Sequence, residues 1–309
     1  MTKPPKILIG IILLAAAILG ASTYERYLSP QKSIIVLATT TSTYDSGLLE
    51  YLMPYFEAEY NAKVHIISVG TGQAIETAKR GDADLVLAHS RPLELEFVNS
   101  GYGVHRVGVM YNDFLIIGPA DDPAGINGLD NATEAFHRIA EECIKDNAIF
   151  ISRADGSGTH MLELTIWNKL RMLPSNKTQR WYIEAGAGMG TVLRMANEKK
   201  AYTLADRATW LTFKNQLANL RVLVQGDSIL LNPYAIILVN PEKHPHRNYR
   251  GALTLAKWIL SEEGQKLIAG FEKNGETLFI PIARNFEKAH KLGFPDQEEE
   301  IAWYDAQRP

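Results

Sequence analysis

Residues 148–159 read Ala-Ile-Phe-Ile-Ser-Arg-Ala-Asp-Gly-Ser-Gly-Thr, an apolar run that passes into a polar turn rich in glycine. The apolar part, Ala148–Ser152, is typical of a strand that is covered on both faces. After the turn, apolar residues recur at helical spacing from Met161 to Leu170, which predicts a helix. A strand that leads through a short turn into a helix is half of a βαβ unit, so this stretch predicts an α/β fold.

The same succession recurs along the chain. Further strands are predicted at Ile34–Leu37, Val64–Val69, Leu85–Ala88, Phe114–Ile117, Trp181–Ile183, Leu220–Val224 and Tyr234–Val239. Because helical patterns alternate with most of these runs, we expect βαβ units and mostly parallel sheets flanked by helices.

Length and composition narrow the class of protein. A chain of 309 residues suits two lobes of roughly 100–150 residues each. The net charge of −3 excludes a strongly basic nucleic-acid binder, and 46% hydrophobic with 22% charged residues is ordinary for a folded chain. The single cysteine, Cys143, allows no intramolecular disulfide and no cysteine-rich metal site.

The N-terminus has the pattern of an export signal. Met1–Lys6 is short and basic, and Ile7–Ala21 is free of charge. An apolar run of about 7–15 residues behind a basic start is typical of a signal peptide, whereas a spanning helix needs about 20 residues. We therefore predict that residues 1–24 are a signal peptide or an uncleaved membrane anchor, and that the rest of the chain lies outside the cytoplasm.

Four strand-to-helix turns carry the candidate chemistry. We call them the first to fourth turns: Thr39–Ser42, Gly70–Gly72, Arg153–Thr159 and Gly186–Gly190. Ligands of open α/β sheets bind beyond the carboxyl ends of the strands, where unpaired helix N–H groups attract anions. Small residues let a ligand reach those N–H groups, and hydroxyls add neutral donors. The turns together predict an anion-binding site.

The charges in these turns favour a small ligand. They contain one cation, Arg153, and one anion, Asp155, among many neutral donors. This composition suits a compact dianion, and the chain has no G-x-x-x-x-G-K-[ST] loop for a nucleotide. We expect Asp155 to orient Arg153 or to cap the helix, because two negative groups in contact repel each other.

Two other functions remain open at this point. Ser157 and His160 are close enough in sequence to form a hydrolase pair, although neither an acid partner nor a G-x-S-x-G elbow supports it. A ligand-sensing domain of a regulator is a second possibility, which the export signal disfavours.

Several stretches of the chain resemble the extracytoplasmic tungstate-binding proteins of ABC transporters, the TupA type. The resemblance spans roughly residues 33–285, and its most specific stretches are Thr39–Ser42 and Ser152–His160. The other matching stretches are Val69–Ala74, Val109–Phe114, Gly188–Gly190 and Ala201–Arg207. One departure is Gly156, where the family more often has an acidic residue.

The resemblance implies a two-lobed type II periplasmic-binding-protein fold in which the chain crosses between the lobes twice. Lobe one would comprise residues 33–117 and 236–309, and lobe two residues 118–235. It also implies the residues that contact the oxyanion: Thr40, Thr41, Ser42, Thr71, Gly72, Arg153, Ser157, Thr159 and Gly188.

The implied function is capture of tungstate outside the cell and delivery to an ABC permease with its ATPase. We expect no cofactor, no reaction and no direct metal ligand, because tungsten would be bound as its oxyanion. Molybdate and phosphate remain alternatives. Molybdate has nearly the same size and charge as tungstate, whereas hydrogen phosphate carries a proton and requires an acceptor in the site, for which Asp155 is the candidate.

Overall fold

The computed structural model describes residues 32–307, and the predicted signal or anchor segment, residues 1–24, lies outside this range. The strands are β1 (Ser33–Thr40), β2 (Ala62–Val69), β3 (Leu85–Ala88), β4 (Gly103–Pro119), β5 (Phe150–Ser152), β6 (Tyr182–Glu184), β7 (Thr203–Asp206), β8 (Leu220–Val224), β9 (Leu231–Val239), β10 (Glu272–Lys273), β11 (Glu276–Thr277) and β12 (Ile280–Pro281).

Helices follow most of the strands. They are α1 (Thr41–Asp45), α2 (Leu48–Glu59), α3 (Thr71–Lys79), α4 (Arg91–Asn99), α5 (Ala132–Ile144), α6 (Gly158–Lys169), α7 (Met189–Lys199), α8 (Arg207–Phe213), α9 (Tyr249–Leu260), α10 (Glu262–Ala269), α11 (Phe286–Lys291) and α12 (Gln297–Ala306). The predicted α/β class is confirmed. Within residues 32–307, no helix is both long and apolar enough to cross a bilayer.

The main sheet is mixed, so the prediction of mostly parallel sheets is wrong in this respect. Its strands lie in the order β12-β4-β9-β3-β1-β2, with β7 and β8 paired to β4. β1 is parallel to β2 and β3, and β5 is parallel to β6, whereas β9 is antiparallel to β3 and β4. The reason is the path of the chain: β4 leads out of this part of the sheet and β9 leads back, so the two must run in opposite directions.

The partners of β4 change along its 17 residues. As far as Asp113, β4 pairs with β9, and from Phe114 onward it pairs with β7 and then also with β8. One buried apolar cluster draws only on residues between 114 and 230, and a second draws on residues 38–97 and 235–294. A third cluster combines other buried residues from both of these regions of the chain. The lobe boundaries at 117/118 and 235/236 stay a prediction.

Candidate anion-binding site

Each of the four predicted turns ends a strand and begins a helix. The first turn joins β1 to α1, with Thr40 as the N-cap residue, and the second joins β2 to α3. The third turn joins β5 to α6, capped by Ser157, and the fourth leads from β6 into α7, with Gly188 at the cap position. The free N–H groups of four helix starts therefore lie in the stretches that the sequence singled out.

The first turn is a cluster of hydroxyl groups. Thr40 is 2% exposed, and its Oγ1 accepts a hydrogen bond from the Thr43 N–H at 3.2 Å. The same oxygen lies 2.6 Å from Thr43 Oγ1 and 3.1 Å from Ser42 Oγ. Thr41 and Ser42 are exposed. Because α1 is only five residues long, its helix dipole is weak. The hydroxyl groups are therefore the main means by which this turn can attract an anion.

The second turn lies beside the first. In the parallel pair of β1 and β2, Thr40 is in register with Val69, so the two strands end at the same level. Thr71 begins α3, Gly72 is exposed, and a Cβ built on Gly70 would meet nothing within 4 Å. The backbone of this turn is therefore open to a small ligand.

The third turn holds the charged pair. Arg153 donates from Nε and Nη2 to Asp155 Oδ2, at 3.1 and 2.5 Å, and Asp155 Oδ1 accepts from the Ser157 N–H at 3.1 Å. Although burial acts to raise it, the pKa of Asp155 is lowered by the hydrogen bonds from Ser157 and by Arg153. The expectation that Asp155 orients Arg153 or caps the helix is thus confirmed.

The backbone of the third turn suits a glycine at position 156. Gly156 has φ of +73°, in the left-handed region, and Ala154, two residues earlier, has φ of +49°. A Cβ on Gly156 would meet no atom within 4 Å, so the glycine serves the backbone conformation and not close packing. Thr159, the second residue of α6, is 5% exposed.

The fourth turn lies against the third. The Ala187 N–H donates to the Arg153 carbonyl at 3.3 Å, and Ser152 is in register with Glu184 in the parallel pair of β5 and β6. A Cβ on Gly188 would meet no atom within 4 Å, which leaves the start of α7 accessible.

His89 lies between the first turn and the third turn, and the sequence analysis missed it. Its Nε2 lies 3.2 Å from Thr40 Oγ1 and 3.3 Å from Ser42 Oγ. A Cβ built on Gly158, at the start of α6, would lie 3.7 Å from His89 Cε1. The available signal was its place directly after β3, where the chain enters α4. Its turn has no glycine, so it did not match the pattern of the other four.

A buried polar network lies behind His89. The His89 ring packs on Tyr234 with the centroids 4.9 Å apart. Asn232 Nδ2 donates to Asn112 Oδ1 at 2.9 Å and to the Tyr234 hydroxyl at 3.2 Å. Burial lowers the pKa of His89 to about 4, so the imidazole is neutral at pH 7.

A buried carboxyl group lies beneath the third turn. Glu163 in α6 is 1% exposed, and its Oε1 accepts from the Tyr182 hydroxyl at 2.6 Å and from Trp167 Nε1 at 3.2 Å. Burial outweighs these hydrogen bonds and raises the pKa of Glu163 to about 7.

Ser157 and His160 do not form the hydrogen-bonded pair that a serine hydrolase requires. Ser157 Oγ accepts the cap hydrogen bond from the His160 backbone N–H, and His160 Nδ1 accepts from the Gly156 N–H at 3.0 Å. Among the hydrogen bonds of the described residues, none joins the imidazole of His160 to the Ser157 hydroxyl. The same part of the chain contains no group of three His, Cys, Asp or Glu side chains that could hold a metal ion.

A second arginine, Arg207, forms an ion pair with a residue far away in sequence, Asp113. Arg207, at the start of α8, donates from Nε and Nη2 to the carboxylate of Asp113 in β4, at 2.5 and 2.7 Å. Its sequence neighbour Asp206 caps α8 instead, accepting from the Thr209 N–H at 2.8 Å. The adjacent Asp206 and Arg207 therefore have separate partners.

Comparison with known proteins defines the class. A model described as a PBP superfamily domain matches residues 22–263, and the chain belongs to this superfamily of periplasmic binding proteins. The tungstate-binding protein TupA of Peptoclostridium acidaminophilum is 43% identical over 295 residues, which cover 92% of this chain and 99% of that protein. Within the superfamily, the chain belongs to the TupA family.

Two solved structures are similar to this chain. The tungstate-binding protein TupA of Desulfovibrio alaskensis G20 has 39% identity and a TM-score of 0.74, covering 81% of this chain and 98% of that one. The tungstate ABC transporter structure from Geobacter sulfurreducens has 47% identity and a TM-score of 0.65, covering 77% of this chain and 98% of that one. The type II periplasmic-binding-protein fold expected from the sequence is thereby confirmed.

Proposed function

We propose that this protein captures tungstate outside the cell and delivers it to an ABC permease that is driven by its ATPase. The observation that carries the proposal is that His89 lies between the first and the third turn, each with a second polar turn beside it, in a chain of the TupA family. The relatives are named as tungstate-binding proteins, and a binding protein of this kind catalyses no reaction.

The proposed contacts are divided between the two pairs of turns. Hydroxyl and N–H groups of the first and second turns would donate from one side, with Arg153 and the starts of α6 and α7 on the other. The contact residues we propose are Thr40, Thr41, Ser42, Thr71, Gly72, Arg153, Ser157, Thr159 and Gly188. Closure of two lobes on the anion, by a hinge at the crossings, would bring these groups together.

The state of Asp155 favours tungstate over phosphate. Tungstate is fully deprotonated at neutral pH and accepts hydrogen bonds only, whereas hydrogen phosphate also donates one. Asp155 is the one carboxylate within the four turns, and its two oxygens accept from Arg153 and from the Ser157 N–H. The turns therefore offer mainly donors to a ligand, and their one carboxylate already accepts from Arg153 and from the backbone of its own turn.

Titration calorimetry with the purified protein tests the ligand. We expect sodium tungstate to bind with one site per chain, and sulfate and phosphate to bind far more weakly. Binding of phosphate without binding of tungstate would overturn the proposal. A molybdate titration alongside measures the preference between two dianions of nearly equal size, which sub-ångström placement of the donors decides.

We also propose an extracytoplasmic location, with residues 1–24 serving as a signal peptide or as a membrane anchor. The export pattern of Met1–Ala21 and the kinship to periplasmic binding proteins support it. N-terminal sequencing of the protein from membrane and soluble fractions distinguishes the two forms. Recovery in the cytoplasm with Met1 intact would contradict the location.

A further inference from the structure

His89 occupies a position between the first turn and the third turn. Its Nε2 is within hydrogen-bonding distance of both Thr40 Oγ1 and Ser42 Oγ, at 3.2 and 3.3 Å. These nearly equal distances suit a single N–H that is shared between two oxygens. The ring carbon next to Nε2, Cε1, faces the start of α6, where a Cβ built on Gly158 would lie 3.7 Å from it.

The imidazole is held in this orientation from behind. The ring of Tyr234 packs on it, and the Tyr234 hydroxyl is itself fixed by a hydrogen bond from Asn232 Nδ2 at 3.2 Å. Asn232 is in turn bonded to Asn112, and these two asparagines are paired across β4 and β9. The ring therefore has little freedom to turn, and a rigid support of this kind is what a precise binding site requires.

Hydrogen-bond direction gives this position a function. A hydroxyl has one proton, and its oxygen can accept at the same time. If a hydroxyl is to donate to an anion that only accepts, its own oxygen must take its hydrogen bonds from other neighbours. A neutral imidazole that carries its proton on Nε2 is such a neighbour, and it adds no charge.

We propose, on the basis of the proposed function above, that His89 is a positioning residue of the anion site, whose Nε2–H is shared between the Thr40 and Ser42 oxygens and leaves the Ser42 proton free to turn toward the bound anion. The site then combines one charged donor, Arg153, with a hydroxyl whose direction is set by a half-buried neutral ring.

The first test is tungstate titration of the full-length wild type and of His89→Ala, His89→Gln and His89→Asn. We expect His89→Ala to raise the Kd about tenfold, the loss of roughly one hydrogen bond's effect. The glutamine amide nitrogen reaches the position of Nε2, so His89→Gln should stay within about threefold of the wild type, whereas the shorter asparagine should not. His137→Gln, at an exposed position on α5, is the matched control and should leave the Kd unchanged.

The outcomes separate the two proposals. If the wild type binds no tungstate, the proposed function itself is wrong, and the role of His89 falls with it. If the wild type binds and His89→Ala binds equally tightly, only the positioning role is overturned. A double-mutant cycle with Ser42→Ala sharpens this: the double variant should lose less than the product of the two single losses. Losses that multiply would show that His89 acts independently of the hydroxyl and would contradict the proposal.

A second measurement does not depend on the folding of any alanine variant. In ¹⁵N-labelled wild-type protein, the nitrogen resonances of His89 are assigned by comparison with His89→Gln. We expect the tautomer protonated on Nε2 in the tungstate complex, and a change of the Nε2 shift during the titration. A tautomer protonated on Nδ1 alone would overturn the proposal.

Discussion

The first and third turns meet at His89, yet they carry different chemistry. The first turn offers hydroxyls and contains no charged side chain, whereas the third contains Arg153 and Asp155. The first turn lies over the half-buried His89 and the third over the buried Glu163, and desolvation favours the neutral form of both. The comparison teaches that positive charge is confined to one arginine, while the opposite side contributes directed, uncharged hydrogen bonds.

The largest expected effect is the loss of the arginine. Arg153→Ala should weaken tungstate binding by about 2 kcal/mol, or roughly 30-fold, because hydrogen bonds to charged groups contribute about 1.5–3 kcal/mol. The unpaired Asp155 would add repulsion to this loss. Arg153→Lys keeps the charge without the fork of donors and should be intermediate. Calorimetry measures both, with Arg138→Ala on the exposed face of α5 as control. An unchanged affinity in Arg153→Ala would show that the third turn contributes no charged hydrogen bond to the anion, and the proposed difference between the two turns would be wrong.

The next effect is on the free energy of unfolding, and it comes from Glu163, which lies beneath the third turn. Because the pKa of Glu163 is raised to about 7 in the folded protein, the folded state holds the proton more tightly than the unfolded state. Its contribution is therefore greatest below the unfolded pKa of about 4.5 and declines as the pH rises to about 7. Glu163→Gln cannot titrate, so relative to the wild type it should gain about 3 kcal/mol between pH 4.5 and pH 8.

Urea unfolding of both proteins at the two pH values measures this gain. Glu142→Gln is the matched control on the surface, since Lys145 and Asn147 lower the pKa of Glu142 and the pH dependence has the opposite sign. Equal pH dependence in Glu163→Gln and the wild type would show that the carboxyl beneath the third turn does not titrate as its burial indicates.

The smallest effect is expected in the first turn. Ser42→Ala removes one neutral hydroxyl and should weaken tungstate binding by about 1 kcal/mol, with the melting temperature unchanged because Ser42 is exposed. Ser100→Ala is the control, since its hydroxyl donates only to the Phe97 carbonyl at the end of α4. A loss in Ser42→Ala as large as that in Arg153→Ala would mean that the two turns contribute equally.

Local patterns predicted the helix starts well. Thr40 and Ser157 are cap residues because a short hydroxyl side chain at a strand end can accept from the next helix, and glycines at 70 and 188 leave the backbone open. These features depend on a few neighbouring residues, so the sequence contains the information directly. The pairing of Asp155 with Arg153, two residues apart, was predictable for the same reason.

Long-range features were not predictable in this way. His89 reaches the site because β3 lies beside β1, and its partners Thr40 and Tyr234 are 49 and 145 positions away in the chain. Likewise, nothing in the apolar run of β9 states that it lies antiparallel between β3 and β4. The order of strands in a sheet is set by tertiary packing, and a single sequence does not display it.

The pairing of β4 with β9 has a consequence for how this protein can be modified. Asp113 and Leu231 are in register on these neighbouring strands, so the 117 residues between them leave and return at adjacent points. A segment whose ends lie side by side can be exchanged as a cassette, because both junctions move together and the register of the remaining sheet is retained. Chimaeras between relatives joined at these two positions would keep the first and second turns of one parent and take the third and fourth from the other.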